Sequence, residues 1–282
     1  MPLQGMLWPR TVAEATAMLD QDPEAKPLAG GATLVAMMNA RVLEPLALVN
    51  LARIDELRGI RVLADGALRI GACTRHRETL DCTALSGTTA VLRRAAAQIA
   101  NATVRNMGTI GGSISFADPG LDYPPAIVAA DCSVEIAASH GRRTVPAREF
   151  FVDWYTTALE PGEIVTAILV PPPAAGGAAY EKHARVSGDY ATASAAVCLA
   201  ADGKVRAAIG GCGPTPIADP EADALLSADR SDASVARAGA LLEARADPLD
   251  DVRGSAEYRR LLIPRLLLRA VRRAEADGSR PR

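Results

Sequence analysis

The sequence has little net charge and no long apolar run, and these absences exclude two classes of protein. The formal net charge is −2, so the sequence does not indicate the basic surface that nucleic-acid binding requires. The longest uncharged stretch, residues 164–180, is interrupted by three consecutive prolines. A transmembrane helix needs about 20 mostly apolar residues, so we expect no membrane-spanning segment.

Clustered metal ligands are also absent. The five cysteines are scattered and none forms a C-x-x-C pair; they are Cys73, Cys82, Cys132, Cys198 and Cys212. A zinc site or an iron–sulfur cluster held by this chain alone is therefore not expected. The three histidines, His76, His140 and His183, lie far apart and show neither metal-ligand spacing nor a Ser-His-Asp arrangement. The N-terminus shows no basic segment before an apolar core, which predicts a cytoplasmic protein with unpaired thiols.

The composition is that of a folded protein with one large domain or two modest ones. Hydrophobic residues make up 49% and charged residues 23% of 282 positions, which excludes disorder as the main state. The run Pro171-Pro-Pro-Ala-Ala-Gly-Gly has no hydrophobic period. We therefore place a domain boundary there, giving residues 1–174 and 175–282.

Local signals predict hairpins and helices in each part. Thr11 and Glu14 form a capping-box pattern before a helix. Turns at Asp65-Gly66, Ser139-His-Gly and Asp202-Gly203 each separate two strand-like segments. Helical segments follow the third hairpin, and Pro264 should kink or restart the last of them. Strands followed by helices predict an α+β fold.

Two glycine-rich segments are candidate ligand-binding elements. The first, Leu28 to Val35, places paired glycines before a helix start that Thr33 can cap. Backbone N–H groups converging at such a turn form a phosphate cradle, although a purely structural turn remains the alternative. The second, residues 106–124, combines glycines with small hydroxyl side chains and no charge before Asp118. We expect a loop that wraps a diphosphate with its backbone N–H groups and the hydroxyls of Thr109 and Ser113, rather than a solvated surface loop.

The two segments together resemble a known family. Ala29-Gly-Gly-Ala-Thr and Thr109-Ile-Gly-Gly-Ser are similar to the two FAD diphosphate-binding loops of the molybdenum hydroxylase flavoproteins, of the carbon monoxide dehydrogenase medium-subunit type. The runs at 104–114, 117–125 and 180–193 are also similar, in order and spacing over essentially the whole chain. The resemblance implies a two-lobed FAD-binding domain of the vanillyl-alcohol-oxidase / p-cresol methylhydroxylase type, with sub-lobes of about 1–57 and 58–174, followed by a smaller α+β C-terminal domain.

The resemblance also implies a set of cofactor-binding residues. The first segment would hold the ADP half, the second the diphosphate, Val165 and Tyr190 would lie at the isoalloxazine, and Ile99 would lie near the cofactor. Asp122 would contact the cofactor, and Lys182 could favour a negatively charged reduced flavin or simply be solvent-exposed. The full set is Leu28, Ala29, Gly30, Gly31, Ala32, Thr33, Leu34, Val35, Ile99, Thr109, Ile110, Gly111, Gly112, Ser113, Asp122, Val165, Lys182 and Tyr190. Ser113 replaces the asparagine of many relatives, and Ala32 replaces a histidine of carbon monoxide dehydrogenases.

The implied function is electron transfer. The chain would bind FAD non-covalently, receive electrons from [2Fe–2S] clusters in a small subunit, and pass them to an external acceptor. Substrate oxidation would occur at molybdopterin in a large subunit, within a dimer of heterotrimers, so this chain would need no catalytic acid or base. Two alternatives stay open: a stand-alone FAD-dependent oxidoreductase, and an assembly module of the same fold without cofactor.

Overall fold

The structure, a computed structural model, describes residues 5–279. The first lobe contains β1 (Gly5–Leu7), α1 (Val12–Gln21), β2 (Lys26–Leu28), α2 (Leu34–Asn39) and β3 (Ala47–Asn50). The three strands form a parallel sheet in the order β1-β3-β2. The Thr11 side chain accepts a hydrogen bond from the Glu14 N–H at 3.1 Å, which confirms the predicted start of α1. The Glu14 carboxylate accepts from the Arg10 N–H instead of completing the box at Thr11.

The second lobe is built on an antiparallel sheet in the order β4-β5-β10-β6-β7. Its elements are β4 (Ile60–Val62), β5 (Leu68–Gly71), α3 (His76–Asp81), α4 (Val91–Gln98), α5 (Ala102–Met107), α6 (Ile110–Phe116), α7 (Tyr123–Ala129), β6 (Ser133–Ala138), β7 (Gly141–Pro146), α8 (Ala147–Phe150), β8 (Phe151–Asp153), β9 (Thr156–Thr157) and β10 (Ile164–Val170). Strands β4 and β5, and β6 and β7, form the two hairpins that the sequence predicts.

Residues after the proline run form a three-stranded antiparallel sheet, in the order β11-β12-β13, covered by helices. Its elements are β11 (Gly176–His183), β12 (Ala193–Ala200), β13 (Val205–Gly210), α9 (Pro220–Ala228), α10 (Asp232–Ala244) and α11 (Ala256–Gly278). The hairpin at Asp202-Gly203 is confirmed. Helix α11 runs through Pro264, so of the two expected outcomes, a kink or a restart, the restart is wrong. Pro264 packs against Gly239 of α10, where a methyl group would come within 3.0 Å of the proline ring.

The β11–β13 sheet is buried on both faces. One face, with Ala178 and Tyr180, shares a hydrophobic core with the second lobe. The opposite face, with Ala179 and Val197, packs against α9, α10 and α11. Side chains alternate across a strand, so this sheet joins the C-terminal helices to the second lobe. The arrangement confirms the predicted α+β class, and no helix within residues 5–279 is long and apolar enough to cross a membrane.

Candidate functional site

A cleft of about 530 Å³ collects most of the residues predicted to bind a cofactor. From the first segment it is lined by Leu28, Ala29, Gly30, Gly31, Ala32, Thr33 and Leu34; from the second by Thr109, Gly111, Gly112 and Ser113; and elsewhere by Ile99, Asp122, Val165 and Tyr190. Three predicted residues do not line it. Val35 is 40% exposed and Ile110 is in the core, while Lys182 is buried behind Asp122.

The two glycine segments touch each other at the floor of the cleft. A methyl group at Gly30 would overlap the carbonyl group of Met107, so only glycine permits this approach. Gly31 has a φ of +74°, in the left-handed region that glycine adopts without strain. Both glycines of the first segment are thus required by the backbone itself.

Residues 110–116 of the second segment form helix α6 instead of the predicted loop. Thr109 precedes this helix, and its hydroxyl accepts from the Gly112 N–H at 3.2 Å. A methyl group at Gly111 would lie 2.5 Å from Ala72, so this glycine allows the helix to pack against the end of β5. Gly112 is exposed, and it presents its α-carbon to the cleft.

Hydrogen-bond donors are distributed unequally between the two segments. The N–H groups of Ile110, Gly111 and Ser113 already donate to protein carbonyls, at 3.0, 2.9 and 3.0 Å, and that of Gly112 donates to Thr109. The expectation that the second segment offers these backbone donors to a ligand is therefore wrong. Residues 31–34 are different, because their N–H groups donate to no acceptor in the part of the chain that the structure describes.

Hydroxyl groups supplement these backbone donors. Thr33 does not cap α2, contrary to expectation, because its backbone is already helical and its side chain makes no capping hydrogen bond. The hydroxyl of Ser113 has no partner among residues 5–279, and that of Thr109 keeps its proton to donate. The cleft therefore presents four backbone N–H groups and several hydroxyls, and Lys26 also lines it.

Asp122 is buried and paired with two residues of the C-terminal sheet. Its carboxylate accepts a hydrogen bond from the Tyr180 hydroxyl at 2.7 Å and from the Lys182 ammonium at 3.1 Å. Burial raises the pKa of Asp122, and the positive charge of Lys182 and the Tyr180 hydrogen bond oppose that shift. The side chain of Lys182 is 4% exposed, so the alternative of a solvent-exposed lysine is wrong.

The far end of the cleft is apolar and partly aromatic. Val165 lies at a β-bulge, where the pairing of β10 with β6 shifts register between Val165 and Ala167. Ile164 and Val165 both line the cleft, and the bulge follows them at Thr166. Tyr190 is held from outside by Arg253, whose guanidinium lies 5.1 Å from the ring centre.

Sequence reasoning missed several lining residues. Phe116, Leu121 and Leu159 add to the apolar end, and His76 lines the opposite side near Gly108. Burial lowers the pKa of His76 to about 4, so its imidazole is neutral at pH 7. An uncharged ring inside a helix gave no sequence signal, and the apolar residues lie on three separate elements with no common motif.

Two family matches cover nearly the whole chain. Residues 2–173 match the FAD binding domain in molybdopterin dehydrogenase, and residues 178–274 match the CO dehydrogenase flavoprotein C-terminal domain. The chain therefore belongs to the FAD-binding medium subunits of the molybdenum hydroxylase family, which are components of oxidoreductase complexes. The resemblance predicted from the two glycine segments is confirmed.

Among known relatives, the chain is similar to carbon monoxide dehydrogenase medium chains. It is 40% identical to that of Afipia carboxidovorans over 95% of both chains. It is 32% identical to the glyceraldehyde dehydrogenase medium chain of Sulfolobus acidocaldarius, over 93% of this chain and 95% of that one. In structure it matches carbon monoxide dehydrogenase from Hydrogenophaga pseudoflava with a TM-score of 0.93 and 38% identity, over 98% of both chains.

The residues present fit FAD. Unpaired N–H groups at 31–34 and the hydroxyls of Thr109 and Ser113 suit a diphosphate. The exposed α-carbon of Gly112 leaves room for close approach. The apolar end with Val165 and Tyr190 suits a flat aromatic ring system.

Proposed function

We propose that this chain is the electron-transfer subunit of a molybdenum-containing dehydrogenase, with FAD bound non-covalently in the cleft. The observation that carries the proposal is that four backbone N–H groups, at residues 31–34, have no acceptor within residues 5–279 and line the same cleft as the hydroxyls of Thr109 and Ser113. When bound, FAD accepts and releases electrons singly or in pairs, and the protein positions and tunes it.

Each part of the cleft has a role in this proposal. Residues 31–34 hold the diphosphate through the backbone, and Thr109 and Ser113 hold it from the opposite side. Val165, Ile99 and Tyr190 pack on the isoalloxazine and exclude water from it. No cysteine or histidine lies in either glycine segment, which supports a non-covalent attachment.

The partners follow from the medium-chain relatives. Those proteins are named as subunits, and this chain aligns with 95% of the length of the first of them. We propose a [2Fe–2S] small subunit as electron donor and a molybdopterin-binding large subunit as the place of substrate oxidation, assembled as a dimer of heterotrimers. The division into residues 1–174 and 175–282, with lobes of about 1–57 and 58–174, is part of the same proposal.

The role of the chain explains the chemistry of its cleft. Of the titratable side chains that line the cleft, Asp122 and His76 are buried, Asp122 in an ion pair and His76 neutral. Neither is arranged as a general acid or base with a second catalytic group. A subunit that only relays electrons needs no such pair, whereas a stand-alone oxidoreductase acting on an organic donor would.

The test is a visible absorption spectrum of the chain purified with the proteins that associate with it. We expect flavin bands that survive desalting and enter the supernatant when the protein is precipitated with acid. Metal analysis of the same sample should show molybdenum and iron. Flavin that stays in the precipitate would contradict non-covalent attachment, and a colourless complex would contradict the proposal as a whole.

A further inference from the structure

Strand β11 carries two buried charged side chains, Glu181 and Lys182, that form ion pairs on opposite faces of the sheet. Glu181, whose side chain is 3% exposed, faces the C-terminal helices and pairs with Arg269 at 2.8 Å and with Arg273. Tyr180 and Lys182, one residue to either side, point to the second lobe. The alternation follows from the two-residue period of a strand. Residues 180–182 therefore make polar contacts on both faces of the sheet, Tyr180 and Lys182 with the second lobe and Glu181 with the C-terminal helices.

The pair on the second-lobe side connects two helices to the C-terminal sheet. Asp122 lies at the start of α7 and accepts hydrogen bonds from both Tyr180 and Lys182. The Lys182 ammonium also donates to the Gln98 carbonyl oxygen at the end of α4, at 3.1 Å. Three hydrogen bonds thus join β11 to the ends of α4 and α7; the two to Asp122 are buried or partly buried, and the one to Gln98 lies at the surface.

Two chain segments that adjoin these hydrogen bonds line the cleft. Ile99 and Ala100 follow Gln98, and the loop 184–190, which ends in Tyr190, follows β11. Gly188 of this loop lies so close to the Ala100 carbonyl oxygen that an added Cβ would be 2.6 Å from it. Loop 184–190 therefore packs against Ala100, which lies two residues after Gln98, the acceptor of the Lys182 hydrogen bond.

We propose that Asp122, Tyr180 and Lys182 form an interdomain latch, and act as positioning residues instead of cofactor ligands. The latch holds β11 against α4 and α7 and so fixes loop 184–190, with Tyr190, over the apolar end of the cleft. The inference rests on the proposed FAD site for its functional meaning, while its structural part concerns the protein alone.

The charge balance of the Lys182–Asp122 pair distinguishes a latch from a direct electrostatic effect of Lys182 on the flavin. The ammonium of Lys182 contacts a carboxylate at 3.0 Å, so the pair is neutral as a unit. Removing Lys182 alone leaves a buried carboxylate without its partner, which is far more costly than replacing both groups. Removing both should therefore restore most of what the single change loses.

The first experiment needs no flavin. Hydrogen exchange of the full-length chain is measured for the wild type, Lys182→Met, and the double variant Asp122→Asn/Lys182→Met. We expect faster exchange in residues 184–190 and at the end of α4 in the single variant, and recovery of at least part of the protection in the double variant. Unchanged exchange in the single variant would overturn the latch, whether or not the chain binds FAD.

The second experiment uses the flavin-loaded complex. We expect Lys182→Met to weaken FAD binding by about tenfold or more and the double variant to return it to within about threefold of the wild type. The midpoint potential of the flavin should be the same in the double variant and the wild type, since the net charge is unchanged. No recovery of affinity together with a shifted potential would show that Lys182 acts on the flavin directly, and would overturn the proposal.

Glu181→Gln is the matched control. It removes the charge of a carboxylate on the same strand that is as buried as Asp122, 3% against 7% exposed, but on the face away from the cleft and paired with arginines at the surface. If the latch exists, Glu181→Gln lowers the global free energy of unfolding. It neither selectively increases hydrogen exchange in loop 184–190 nor changes FAD affinity. An equal effect of Glu181→Gln on the loop would reduce the latch to general stability of β11 and so contradict it.

Discussion

The α-carbon of Gly30 lies directly against the carbonyl group of Met107, so the two glycine-rich segments are in backbone contact. The contact joins the start of α2 in the first lobe to the end of α5 in the second. It fixes the spacing between the donors at 31–34 and the hydroxyls of α6. Because Gly30 has no Cβ, the two segments can approach closely, and this approach sets the width of the cleft at its polar end.

Gly30→Ala should lower the free energy of unfolding by about 1–3 kcal/mol, because the methyl group forces two backbones apart. Urea denaturation of the flavin-free chain measures this. Gly112→Ala is the control, since its nearest neighbour is the Thr109 hydroxyl at 3.0 Å and the rest of its surroundings are open. It should leave stability nearly unchanged and weaken FAD binding. The reverse pattern would show that position 30, and not 112, is where the ligand approaches.

Ser113→Ala should weaken FAD binding by about three- to tenfold, the value of one hydrogen bond of about 0.5–1.5 kcal/mol. Its hydroxyl has no protein partner in residues 5–279, so the unfolding free energy should change by less than about 0.5 kcal/mol. Thr109→Val is the comparison. It removes the N-cap of α6 and should cost about 1 kcal/mol of stability in addition. Isothermal titration with FAD and thermal unfolding separate the two effects.

His76 should make the protein less stable in mild acid. Burial lowers its pKa from 6.5 to about 4, so between these pH values the unfolded chain binds a proton that the folded chain excludes. Stability therefore falls as the pH drops through this window, by about 2 kcal/mol between pH 7 and pH 5. Urea denaturation at the two pH values measures the change. His76→Asn should lose most of this difference, and an undiminished difference would assign it to other groups.

Asp223→Asn should stabilise the protein at pH 7. Burial raises the pKa of Asp223 from 3.8 to about 6, against the favourable hydrogen bond from the Ala207 N–H. The folded state holds this proton more tightly than the unfolded state, so the free-energy penalty develops as the pH rises from about 4 to about 6 and is complete above that range. Since the group is partly exposed, we expect a gain of about 1 kcal/mol at pH 7 and little at pH 4. Thermal unfolding at both pH values tests the sign.

Local sequence chemistry predicts much of the fold. The start of α1 and the three hairpins depend on residues that are neighbours in sequence, and their positions are confirmed. Helix α6 was missed because Ile-Gly-Gly-Ser has poor intrinsic helix propensity. It is helical because of the Thr109 cap and because Gly111 packs on Ala72, nearly 40 residues earlier in the chain.

The site was predicted least well where a buried charge is neutralised by a residue that is distant in sequence. The burial of Lys182 depends on Asp122, which lies 60 residues away in sequence. A lone lysine in a sequence is ordinarily read as solvent-exposed, and no local pattern indicates its partner. Likewise, the spacing of glycines cannot show which N–H groups are already bonded, because Thr74 and Ala72, the acceptors for Ile110 and Gly111, lie outside the segment.

The N–H groups of residues 31–34 have no acceptor within residues 5–279, so a bound cofactor would add to the stability of the folded chain. The amount of this chain that a cell retains should therefore depend on the supply of cofactor. A ligand that binds only the folded state adds stability in proportion to the logarithm of its free concentration. Flavin-starved cells should therefore hold a larger unfolded fraction of this subunit, which proteases remove. Riboflavin limitation would then reduce the steady-state level of the chain itself and, through it, the number of complete complexes.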